Sequence, residues 1–181
     1  MIVLQTPRLN LRRLHEGDLD TLARIYADPD VMRYIRDGSI RDREQTAEHL
    51  ATISRSWDER GFGLLGVEIR DTGELAGWVG LAVPEFLPEV LPAVEIGWRL
   101  ARPRWGGGIA TEGARAVLRF GFVDCGLDRL VSIRHVDNHA SGRVMEKLGM
   151  HLDRRTTAPA SGQPVAVYAL NRTEYLTAQP L

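Results

Sequence analysis

The sequence predicts an α/β fold: a mixed, mostly antiparallel central sheet flanked by helices on both faces. Three observations carry this. Runs that alternate apolar and polar residues at strand length recur along the chain, and runs with helical spacing separate them. The early strands are joined by a tight turn, whereas the later ones alternate with helices, an order that calls for both antiparallel and parallel neighbours. No internal repeat or linker divides the chain, so residues 1–181 are expected to form a single domain.

Element by element, "RLNLRRL" alternates from Leu9 to Leu14 as a half-buried strand does. "GDLDTLARIYADPD" places Leu19, Leu22, Ile25 and Tyr26 on one helical face and stops at Pro29. A second helix is expected from about Asp42 to Arg60, where Asp42 and Gln45 have the spacing of a capping box, Leu50, Ile53 and Trp57 recur on one face, and Gly61 ends the run. "FGLLGVEIR" and "ELAGWVGLAV", joined by "DTG", read as a hairpin. "PEFLPEVLP", with prolines at 84, 88 and 92, reads as a loop bordering an acceptor pocket, a subunit contact or only solvent. "AVEIGWRL" resumes as a strand, Ile109 to Val123 as a helix and "RLVSIRH" as a strand. "NHASGRVMEKLG" is a helix with Asn138 as N-cap, Gly149 at the C′ position and Ala140, Val144 and Leu148 as its buried stripe. Two last strands are expected near 150–155 and 164–170.

Composition narrows the function class. Lys plus Arg (23) nearly balance Asp plus Glu (24), which argues against a nucleic-acid partner, and Lys147 is the single lysine. One cysteine, Cys125, rules out an internal disulfide and suits a reducing compartment. The N-terminal segment lacks a signal-peptide core, and no apolar run approaches the ~18 residues of a membrane span, so a cytoplasmic protein is expected. His135, His139, Cys125 and Asp137 lack the spacing of a zinc site, and no metal is expected.

"RWGGGIATEG" sets three consecutive glycines in front of a helix. Such a loop turns unpaired amides and the positive end of the helix dipole toward whatever lies ahead, which suits an anion, phosphate above all. A turn that holds no ligand is the alternative. The nucleotide P-loop is excluded because Gly108 is followed by Ile109 and Ala110 instead of Lys and Ser or Thr. The dinucleotide fingerprint fails at its third glycine, where Thr111 stands, and Asp128 precedes the next strand instead of ending it.

"WGGGIATEGARAVLRFGF" after "VEIGWRL", followed by "NHASGRVMEKLGM" after a strand, resembles the acyl-coenzyme A binding half of the GNAT superfamily of N-acetyltransferases. "TPRLNLRRLHEGDLDTL" and "VYALNRTEY" resemble its ribosomal-protein N-terminal acetyltransferase branch. The resemblance covers almost the whole chain. It implies a sheet whose middle strands splay apart to hold acetyl-CoA as co-substrate, with pyrophosphate on the amides of Gly106, Gly107, Gly108 and Ala110. The pantetheine arm is then expected along the strand edge from Trp98 to Leu100, with Asn138 beside it. Two positions depart from the family pattern: Pro103 replaces the usual Gln or Arg ahead of the loop, and Met145 replaces a tyrosine that serves many relatives as general acid.

Acetyl transfer to an amine needs a neutral nucleophile, donors for the carbonyl oxygen and a proton for the departing thiolate. An α-amine of pKa ~8 costs roughly 1 kcal/mol to deprotonate at pH 7 and a lysine of pKa ~10.4 nearer 5 kcal/mol, so an α-amine manages with a modest base. On "AVEIGWRL", Val94, Ile96, Trp98 and Leu100 share a core face and Glu95, Gly97 and Arg99 the other. Glu95 is the candidate base if that second face lines a cleft; a solvated strand face is the alternative. Ser141 is the candidate acid, or else part of the helix cap. Glu112, in the first turn of its helix, should point away from a phosphate. The acceptor is expected to be a protein N-terminal α-amine or a small-molecule amine, with monomer and homodimer both open. Two rival classes stand beside this reading: a dinucleotide-dependent oxidoreductase, disfavoured by the missing glycine, and a non-catalytic acyl-CoA-binding or regulatory module, disfavoured by Glu95 and Ser141.

Overall fold

The computed structural model describes residues 1–178. Eight strands form one sheet in the order β1-β2-β3-β4-β5-β6-β8-β7. They are β1 (Ile2–Gln5), β2 (Leu9–Arg13), β3 (Leu64–Ile69), β4 (Leu75–Ala82), β5 (Val94–Leu100), β6 (Arg129–His135), β7 (His151–Thr157) and β8 (Pro164–Asn171). Every neighbouring pair is antiparallel except β5 and β6. That parallel pair keeps register only at Val94 with Leu130 and Glu95 with Val131, whereas β5 pairs with β4 along its whole length from Glu95 to Leu100. Beyond Glu95 the two middle strands part.

The helices are α1 (Leu19–Tyr26), α2 (Pro29–Met32), α3 (Arg43–Arg60), α4 (Ile109–Arg119), α5 (His139–Lys147) and α6 (Arg172–Ala178). The capping box of α3 forms as expected: Asp42 accepts from the Gln45 amide and Gln45 returns a bond to the Asp42 amide. Pro29 does not merely stop a helix. It takes the first position of α2, where its missing N–H costs nothing. The expected helix from Ile109 to Val123 changes pitch: after Arg119, residues Phe120–Asp124 form a π turn, closed by the Cys125 amide on the Phe120 carbonyl at 2.9 Å. The extra residue per turn directs Phe122 fully into the core, where its ring lies 5.0 Å from that of Tyr175.

Two apolar clusters result. The larger one joins α1, α3 and α4 to the sheet and includes Leu9, Tyr26, Val79, Ile96, Val117 and Phe122. A smaller one lies where Leu87 and Val90, on the proline-rich loop, cover Val131, Val165 and Val167 of β6 and β8. That loop therefore roofs the sheet face that Glu95 shares with Val131, and Leu87 is itself core rather than a surface side chain. Among the described residues no helix is long and apolar enough to cross a membrane.

Candidate active site

Glu95 sits at the last registered pair between β5 and β6, so its side chain stands where the strands begin to part. Withdrawal from water pushes its carboxyl up to about 8; the Ile133 amide on β6 and the more distant Arg99 favour the charged form but do not outweigh burial. Gly97, next on that face, leaves the strand bare: a Cβ there would find its nearest neighbour, the Trp78 ring, at 3.6 Å. Leu100 is buried and Trp98 partly buried on the opposite face, as the alternation predicts. The backbone from Ile96 to Leu100 pairs with β4 alone, which leaves its other edge open toward the splay.

The glycine loop follows the end of β5 and leads into the start of α4. Gly106 and Gly108 hold φ of +77° and +78°, the left-handed region, which turns the chain through a path that a residue with a Cβ resists. The ladder of α4 begins with the Glu112 amide on the Gly108 carbonyl at 3.0 Å, so the amides ahead of it, those of Gly106, Gly107, Gly108 and Ala110, have no acceptor in the helix. Around Gly106 and Gly107 a Cβ would meet nothing within 4 Å. The open space at Gly106 and Gly107, with the Arg8 guanidinium 3.4 Å from a Cβ position at Gly108, suits the oxygens of an anion such as a pyrophosphate.

A strut from the other end of the chain holds the loop. Glu112 accepts from the Thr6 hydroxyl at 2.6 Å, the Arg8 amide at 3.0 Å and Arg8 Nε at 2.6 Å. Arg8 Nη1 in turn donates to the Gly107 carbonyl at 2.9 Å. Thr6 and Arg8 lie about a hundred residues upstream, and no local pattern points to them. The two arginines flanking Pro103 are occupied elsewhere: Arg102 pairs with Asp28 and Asp30, and Arg104 with Glu74.

On α5 the Asn138 Oδ1 accepts from the Ser141 amide at 3.2 Å, so Asn138 caps the helix with one end of its amide group. Ser141 is partly exposed, and its hydroxyl makes no protein hydrogen bond among the described residues. The expected stripe is corrected: Ala140 is exposed, and Gly142, Met145 and Leu148 turn inward with Val144 only partly buried. The reason is Arg134 of β6, whose side chain lies so close to Gly142 that the helix is rolled onto its glycine face. Met145, at 1% exposure, is core and faces no cleft.

A further wall was not anticipated. Trp78 Nε1 donates to the Tyr26 hydroxyl at 2.8 Å, and the same hydroxyl shares a hydrogen bond with His49 Nδ1 at 3.0 Å, its direction set by the imidazole tautomer. Burial and neighbouring arginines drive His49 down to about 3, so it stays neutral. Arg99 stacks over both aromatic rings, 5.0 Å from the centre of Tyr26 and 5.2 Å from that of Trp78. Arg99 and Glu95 share a face by simple alternation; the partners brought by α1 and α3 come from the fold. A cavity of about 600 Å³ lies nearby, lined by Arg12, Thr21, Arg24, Ala101 and Pro103, but neither Glu95 nor the glycines border it.

Comparison with known proteins agrees with this architecture. Residues 8–151 match the family model described as an acetyltransferase (GNAT) domain. The chain is 37% identical over 166 residues to YkkB, an uncharacterized protein of Bacillus subtilis strain 168, covering 91% of this chain and 93% of that one. An acetyltransferase of Agrobacterium tumefaciens strain C58 superposes with a TM-score of 0.81 at 27% identity, covering 94% and 95% of the two chains. RimL, a ribosomal L7/L12 alpha-N-protein acetyltransferase solved with coenzyme A, shares the fold with a TM-score of 0.77 at 19% identity, covering 94% and 98%.

Proposed function

The chain belongs to the GNAT acetyltransferase family, whose general reaction moves an acetyl group from acetyl-CoA to an amine, and we propose how its own residues divide that work. Acetyl-CoA, when bound, supplies the activated acyl group and the thiolate leaving group. The amides of Gly106, Gly107, Gly108 and Ala110 hold its pyrophosphate, and the free edge of β5 from Trp98 to Leu100 pairs with the pantetheine arm. Asn138 offers that arm its Nδ2, the end of the amide group left over from capping. Glu95 takes the first ammonium proton of the acceptor, directly or through water; as the tetrahedral intermediate collapses the Ser141 hydroxyl gives its proton to the departing thiolate and regains one from the proton that the acetylated nitrogen sheds. Residues 1–181 act as one domain, in the cytoplasm.

The observation that carries this reading is Glu95, a carboxyl raised to about 8 at the point where β5 and β6 separate. A base of that strength is matched to an α-amine of pKa ~8, so proton transfer is nearly level, whereas a lysine at ~10.4 leaves it uphill by roughly 3 kcal/mol. The acceptor is therefore an α-amine, of a protein N-terminus or of a small molecule. Release of free thiol from acetyl-CoA, followed with matched α-amines and lysine-type amines, tests it. Glu95-dependent release that favours the α-amines supports the reading; release untouched by Glu95→Gln removes Glu95 from the chemistry.

A further inference from the structure

Three arginines crowd the acceptor side of β5. Arg99 is partly buried, and its Nε and Nη1, both shielded from solvent, have no hydrogen-bond partner among the described residues. Arg41, which leads into α3, also lies over the Tyr26 ring at 5.4 Å from its centre, and Arg36 is close enough to add to the same positive potential. Among the described residues none of the three makes an ion pair, whereas Arg8, Arg12, Arg102 and Arg104 all do. Shielded guanidinium N–H groups without an anion are costly, so their presence on the face that carries Glu95 calls for a negative group that arrives from outside.

Glu95 is not that group. In a true ion pair the acid falls and the base rises, as at Asp18 and Arg12. Here both partners move toward their neutral forms: Glu95 climbs to about 8 and Arg99 falls to about 10, each because burial outweighs the other's attraction. Tyr26 is spent on Trp78 and His49, and His49 is neutral, so the wall holds the guanidinium in place and offers it no charge.

We propose that Arg99, with Arg41 at its rim, is an anion-recognition site for the acceptor, and that the acceptor is a primary amine bearing a carboxylate a few bonds from its nitrogen. The planar fork of a guanidinium suits a carboxylate in two-point contact. Glu95 and Arg99 lie four residues apart on one face, about 13 Å along the strand before side-chain reach. With the amine at Glu95, beside Gly97, the carboxylate falls toward Arg99. Free amino acids and peptides that begin with an acidic residue both carry this chemistry. The inference deepens the acetyltransferase reading and rests on it for the direction in which the acceptor lies.

The test compares matched pairs: amino acids against their carboxamides, and amidated peptides beginning with Asp against the same peptides beginning with Asn. Thiol release gives kcat/KM, and a thermal shift on the same compounds gives binding without turnover. Wild type should prefer the carboxylate member by about 10- to 100-fold, and Arg99→Met should reduce that ratio to under about threefold, with Arg41→Gln lowering it partway. Whichever series shows the preference identifies the source. Equal use of both members by wild type, or a preference that survives in Arg99→Met, overturns the proposal. If Arg99→Met does not fold, Arg41→Gln and Arg99→Lys carry the test, the lysine keeping the charge while losing the fork. Carboxylate-dependent stabilisation without thiol release would keep the anion site and sink the transfer reading; release without any carboxylate effect would do the reverse.

Discussion

At the scale of single residues, Glu95 joins an energetic cost to a chemical use. Its carboxyl titrates near 8 in the fold against 4.5 as a free side chain, so between those values the folded protein holds a proton that the unfolded chain has released. The group's contribution to stability is present in full below about pH 4.5 and is lost as pH rises through 8. Glu95→Gln should therefore gain melting temperature relative to wild type as pH climbs from 5 to 8.5, by roughly 10 °C, with the difference levelling above that. Scanning calorimetry across pH checks this, and a difference independent of pH would mean the carboxyl is not held neutral. The same variant should lose about 10²- to 10⁴-fold in turnover, together with the rise in rate toward pH 8, while coenzyme A affinity changes only a few fold. Of these residues the sequence displays Glu95, Gly97 and Arg99 directly, because strand alternation is local. It hides Arg8 and His49, whose partners lie 104 and 23 residues away.

Elements divide in the same way. The capped helix α3, the β3–β4 hairpin and the cap of α5 follow from signals within four residues, and all were legible. Missed were β1, a four-residue edge strand with Ile2 half exposed, and the four-residue α2, both too short to show a period. The misassigned face of α5 has a tertiary cause, the Arg134 side chain against Gly142. Two consequences are measurable. Gly108→Val puts a β-branched residue at φ +78°, where the strain is of order 1–2 kcal/mol, so the protein should fold with a lowered melting temperature and bind coenzyme A at least tenfold more weakly in a calorimetric titration. Unchanged affinity would take the loop out of the site. Met145→Tyr puts a phenol at the position where the family resemblance would expect one, but at 1% exposure the larger ring and its hydroxyl have no space or partner. It should cost roughly 1–3 kcal/mol in denaturant unfolding and raise turnover not at all.

For the whole molecule the decisive feature is a sheet that is continuous through eight strands yet held at its centre by two registered pairs. The alternation of strands and helices predicts a mixed sheet, and the family resemblance implies an opening between the Glu95 strand and "RLVSIRH", but the residue at which the two strands part, just past Glu95, is set by three-dimensional packing and is not written in any segment. Coenzyme A should close that gap: hydrogen exchange of the β5 amides from Ile96 to Leu100 that face β6 should slow on binding, while those bonded to β4 change little. Equal protection on both sides would mean that the strands tighten as a unit and that nothing enters between them. The strut from Thr6 and Arg8 to Glu112 adds a matter of timing. During synthesis the first of these residues emerges about a hundred residues ahead of the last, so the brace on the glycine loop cannot close before Glu112 has left the ribosome. Closing so long a span is slow compared with forming the capped helices, and the two ends of the β1–α4 span are then joined while β6, α5, β7 and β8 are still to come.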